Sequence, residues 1–165
     1  MEANPVTRIL FQMCGFIPIQ MEANEPGEDN KYDPKSFKIF LRAAKKAFTD
    51  GFDIGILPEG QLNPTPEAGL LPVFSGAFTL AKMSRRPIKM IAINGAHNIW
   101  HATDGIIAKE RAVSLRAYPG GRKFESADDF SETFENVVGH FGATGKDVDN
   151  LDKWLDGTMT STSKQ

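Results

Sequence analysis

Apolar residues recur at helical spacing over residues 34–50. Phe37, Phe40, Leu41, Ala44 and Phe48 fall on one side, and Lys35, Lys38, Arg42, Lys45 and Lys46 on the other. Asp33 stands where an N-cap belongs, Pro34 at the first helical position and Gly51 just past the end. A second helix is predicted over 126–141. There Ser126 and Asp129 resemble a capping box, and Phe130, Phe134, Val137, Val138 and Phe141 form the apolar stripe. Shorter helices are read at Pro5–Cys14 (closed by Gly15), 73–83 and 147–155. Period-two or continuous apolar runs predict strands at 16–19, 52–57, 88–93 and 112–118. Pro18 marks the first as an edge strand or a first-residue bulge. The runs at 53–57 and 88–93, short and bounded by turn signals, read as central and buried. Strands alternating with helices predict an α/β fold, a single-domain sheet with flanking helices over 1–157, followed by a disordered Thr/Ser-rich tail at 158–165.

Composition narrows the function classes. With 165 residues and 41% apolar content the chain can bury a real core. A net charge of −2 argues against nucleic acid as a partner. Cys14 is the single cysteine, so no intramolecular disulfide forms and a reducing compartment, the cytoplasmic side, is expected. No signal peptide is read at the N-terminus, and no run reaches the ~18 apolar residues of a membrane span.

The sharpest chemical feature is Ile54-Gly55-Ile56-Leu57-Pro58-Glu59-Gly60. A predicted strand delivers a carboxylate into a loop at its C-terminal end, where α/β sheets bind ligands. The plain alternative is an exposed turn. Three further blocks stand in order around it. Gly15-Phe16-Ile17-Pro18-Ile19-Gln20-Met21 lies upstream. Leu71-Pro72-Val73-Phe74-Ser75-Gly76-Ala77-Phe78-Thr79-Leu80-Ala81 and Pro87-Ile88-Lys89-Met90-Ile91-Ala92-Ile93 lie downstream. Together the four resemble the phospholipid/glycerol acyltransferase family, which contains the lysophosphatidic acid acyltransferases.

The resemblance implies a glycerolipid acyltransferase-like fold and transfer of an acyl group from acyl-CoA or acyl carrier protein to a lipid acceptor hydroxyl. It implies no cofactor or metal, and peripheral contact with a membrane. Substrate-binding positions carried over from the family motifs are Gly15, Ile17, Gln20, Pro58, Glu59, Gly60 and Gln61. The family's general base is a His followed five positions later by Asp. His97, His101 and His140 are followed at that distance by Ala102, Ile106 and Gly145, so the catalytic pair is absent and the catalytic residues are unknown. The expectation is a chain truncated ahead of the family's first block. Two family arginines that hold an acceptor phosphate align with Met21 and Leu62, and a family Asp aligns with Gln20.

Two readings compete with an enzyme. One is a non-catalytic lipid- or acyl-binding paralogue or fragment; the other is an unrelated hydrolase with Glu59 as base. His97 and His101 stand one helical turn apart, at zinc-ligand spacing, but without a third ligand they read as a structural or solvent-facing pair. The basic face of residues 34–50 could meet anionic headgroups. An ordinary solvated face accounts for it better, because the apolar side serves as core. Arg111, Arg122 and Lys123 read as surface charges.

Overall fold

Helix α1, Pro34–Thr49, keeps the predicted two faces. Ser36 and Ala44 are buried, and Phe37, Phe40, Leu41 and Phe48 are half-buried. All five predicted basic residues of the other face are exposed. The Phe37 and Phe40 rings stack at 6.1 Å. Gly51, at φ +88°, closes the helix. Its N–H donates to Phe48 O at 3.3 Å, and the Phe52 N–H donates to Ala47 O at 2.9 Å. That pair of reversed bonds is the Schellman ending, which needs a left-handed residue at this position.

The computed structural model describes residues 13–17, 34–60, 63–101 and 110–159. The chain divides into two compact units, Met1–Gly55 and Ile56–Gln165. Most of the predicted helix Pro5–Cys14, the strand residues beyond Ile17, the Asp33 cap and residues 160–165 lie outside the described residues.

The predicted central strand at 52–57 is not one. These residues join no ladder among the described residues, and Phe52 and Leu57 are 64% and 84% exposed. A short apolar run defines a strand only if a partner takes up its N–H and C=O groups. Here the Phe52 N–H is instead spent on the end of α1.

In the second unit, helix α2, Gly76–Ser84, buries Leu80. Strands β1, Ile91–Asn94, and β2, Ser114–Ala117, form a two-stranded antiparallel sheet, with Ile91 opposite Ala117 and Ile93 opposite Leu115. A bridge between Ile88 and Arg122 extends the pairing. The run 88–93 is therefore a strand in part, but it is not central or buried on both faces. Met90 and Ala92 are buried, whereas Ile91 and Ile93 are 55% and 48% exposed. A continuous apolar run cannot report which face is covered.

The helical stretch predicted over 126–141 runs longer than expected. Helix α4, Ala127–Phe134, passes into a π-helical turn, Glu135–Gly139, and then into α5, His140–Thr144. (Helix α3 is the single turn Ala96–Ile99.) The Ser126 hydroxyl accepts from the Asp129 N–H at 3.0 Å, as the capping pattern requires. The wide π turn brings the consecutive residues Val137 and Val138 both into the core. Beside them lie Met90, Ala92, Tyr118, Phe141 and Trp154, the last from α6, Leu151–Asp156. Asn94 Nδ2 donates to Gly142 O at 2.7 Å and ties α5 to β1.

Arg122 is no surface charge. Its side chain is 11% exposed, and its guanidinium donates to Asp129 Oδ1 at 2.6 Å, Thr133 Oγ1 at 2.8 Å and Trp154 O at 2.9 Å. It also lies 4.5 Å from the Phe124 ring centre. One side chain thus ties the sheet extension to α4 and α6. Past α6, Thr158 donates twice to Asp156 Oδ1 and the Met159 N–H donates to Lys153 O, so these two residues continue the fold.

Candidate functional site

The Pro-Glu-Gly sequence makes a tight turn. The Gly60 N–H donates to Leu57 O at 3.1 Å. Pro58, at the second turn position, has the fixed φ that such turns favour, and Gly60 closes it at φ +68°. The Phe74 N–H returns to Pro58 O at 2.9 Å, so residues 57–74 form a loop whose two ends meet.

Glu59 is half-buried and turned into this loop. Its Oε2 accepts from the Leu71 N–H at 2.8 Å and from Asn63 Nδ2 at 3.2 Å. Asn63 Nδ2 also donates to Gly69 O at 2.7 Å, and its Oδ1 accepts from the Thr65 N–H at 2.9 Å. A 3-10 turn, Pro66–Ala68, forms the loop's far end. There the Glu67 carboxylate meets His101 Nε2 at 3.2 Å. Glu67 is held below the usual carboxylate range, first by a hydrogen bond from its own backbone. The His101 hydrogen bond and the charges of His101 and His97 add to this, against a desolvation penalty. His101 alone meets this carboxylate, and among the described residues no three His, Cys, Asp or Glu side chains gather as a metal site.

Pro58, Glu59 and Gly60 are thus brought into one turn. Gly15, exposed at φ +76°, and Ile17, half-buried, belong to the first unit. Gln20 and Gln61 lie outside the described residues, as do Met21 and Leu62. Sequence reasoning missed Asn63 and Glu67. The signal for Asn63 was present: Asn63-Pro64-Thr65-Pro66 is the kind of sequence in which an Asn side chain caps its own turn. Nothing local marks Glu67, whose partner lies 34 residues on. Two surface grooves, one at Gly121–Glu125 and Leu155–Gly157, the other at Gly69, Leu70 and the π turn, leave Glu59 out of their linings.

The chain is 25% identical over 130 residues, 78% of its length, to a Caenorhabditis elegans protein named "Putative 1-acyl-sn-glycerol-3-phosphate acyltransferase acl-1". The match spans 47% of that relative, about half its length. The likeness supports a distant relationship to the acyltransferase family. No protein-family profile matches the chain. No solved structure matches it either.

Proposed function

We propose that the protein serves acyl transfer to a lipid hydroxyl, and that the loop over residues 57–74 shapes the acceptor side of the site. The donor in this reading is acyl-CoA or acyl carrier protein, and the acceptor is a glycerolipid or lysophospholipid. The observation that carries it is the self-closed Pro58-Glu59-Gly60 turn, in a chain distantly related to an acyltransferase over 130 residues.

In this chemistry the acceptor oxygen attacks the thioester carbonyl carbon, and a C–O bond forms as the C–S bond breaks. The hydroxyl proton passes to a general base, and the thiol leaves with a proton. The base is the part these residues do not supply, for no His is followed five positions later by Asp. Glu59 offers no His–Asp pair, and its Oε2 is spent on two donors of its own loop. What the chain contributes is binding and orientation.

That missing pair also favours a second reading, a lipid- or acyl-binding protein without transferase chemistry. Both readings meet in one experiment: radiolabelled oleoyl-CoA with a panel of lysolipids, followed by product separation and by calorimetric binding. Binding without turnover is expected, since losing a positioned base costs about 10²–10⁴ in rate. Steady turnover by the 165-residue chain would demand another base. Failure to bind either acyl-CoA or any lysolipid would remove both readings. A longer product of the same gene that carries a His-x4-Asp block and turns over would decide for the enzyme.

A further inference from the structure

We propose that Asn63 is a positioning residue: its side chain clamps Glu59 so that a single carboxylate oxygen, Oε1, faces the acceptor hydroxyl. This rests on the acceptor-site reading above.

The argument begins with where the hydrogen bonds go. Both donors on Glu59, the Leu71 N–H and Asn63 Nδ2, reach the same oxygen, Oε2. Oε1 takes no hydrogen bond from any described residue. The carboxylate is therefore divided, one oxygen spent on the loop and the other open. Rotation about the last side-chain torsion would exchange the two oxygens, and that torsion is broad and roughly two-fold in a free Glu. Two donors converging on Oε2 from the two sides of the Pro66–Ala68 turn, at residues 63 and 71, hold it in one orientation.

Leu71 alone would leave the carboxylate on a backbone that is itself unsupported. Asn63 supplies that support, since its amide also holds Gly69 O, two residues before Leu71, and receives the Thr65 N–H. An amide suits this place because it offers donors and an acceptor together. Aspartate lacks the donors, and serine has one donor on a shorter arm. The open oxygen is a hydrogen-bond acceptor with negative charge, so it favours an uncharged hydroxyl donor and disfavours a phosphate.

The test uses the whole chain, with N63D, E59Q, the double variant and N63S. Amide hydrogen exchange at Thr65 and Leu71 reads the clamp. Calorimetry with dodecanoyl lysophosphatidylcholine, below its micelle concentration, reads the acceptor site. Wild type should show slow exchange at both amides. N63D should keep Thr65 protected, release Leu71 and bind about tenfold more weakly, the scale of one unsatisfied polar group. E59Q can turn an amide donor to the carboxylate that N63D introduces, with Leu71 still released because its N–H shared that atom. Added to N63D it should therefore raise affinity, although alone it lowers it, and a merely structural loss of packing does not predict that reversal.

Fast exchange at Leu71 in wild type overturns the clamp. So does N63D matching wild type in both measurements, or losses in E59Q and N63D that simply multiply. Should N63D fail to fold, N63S gives the same comparison, with Leu71 released and Thr65 more weakly held. Slow exchange in a wild type that binds no lysolipid would keep the clamp but overturn the acceptor-site reading, and the positioning role with it.

Discussion

Single side chains hold the second unit together where elements meet. Arg122 is the strongest case. Replacing it by Ala strands the Asp129 carboxylate, only 19% exposed, and leaves Trp154 O without its donor. Chemical denaturation should show a loss of about 2–4 kcal/mol. Lys should not recover it, because an ammonium cannot reach three acceptors that a planar fork reaches at once. Gly157 depends on the same arginine. It sits at φ +83°, and an added Cβ would lie 2.9 Å from Arg122 Nη2, so Gly157→Ala should lower the melting temperature clearly. Tyr118 gives a pH signature. Burial, then the Asp147 charge, pushes its hydroxyl up to about 12 from an ordinary value of 10. The neutral form is the one the fold favours. Stability from this group is therefore full below pH 10 and is lost as pH rises through about 12. Thermal melts across that range, with tyrosinate absorbance followed alongside, check it.

At the level of elements, the covered faces and the open face predict opposite responses. Phe130 is 1% exposed on α4, with ring contacts to Phe124 at 5.3 Å and to Phe134 at 5.7 Å. Its replacement by Ala should cost about 3–5 kcal/mol. Leu115 on β2 is 65% exposed, opposite Ile93 on the outward side of the sheet. Leu115→Thr should cost less than about 1 kcal/mol, since little apolar area returns to water. A loss as large as that of Phe130 would mean that this face is covered in solution. The π turn is an element no sequence pattern announced. It carries two adjacent buried valines, Val137 and Val138.

For the whole molecule, the acceptor-site proposal makes a prediction about charge. Arginine holds phosphate through paired, charge-assisted hydrogen bonds, and this chain has Met21 and Leu62 where the resembled family places arginines. With Glu59 adding negative charge nearby in sequence, a zwitterionic or neutral lysolipid should bind better than lysophosphatidic acid in direct competition. The reverse preference, abolished by neutralising Arg85 and Arg86, would move the phosphate site to the end of α2.

The sequence by itself determined the two long helical stretches and their faces. α1 was legible from its period, its proline start and its glycine stop, and the cap of α4 from Ser126 and Asp129. These signals are local, within four residues, and the backbone obeys them wherever the element lies. It also exposed the Pro58-Glu59-Gly60 turn. The tertiary structure alone decided which apolar runs become strands and which of their faces are covered, because strand pairing and burial are settled by residues far apart in the chain. Thus 52–57 reads as a strand and is none, while Ile91 and Ile93 read as core and meet solvent. The partners of Glu59, Glu67 and Arg122 were decided in the same way: each lies 4 to 34 residues away, and only the folded loop and helices bring the donors within 3.4 Å.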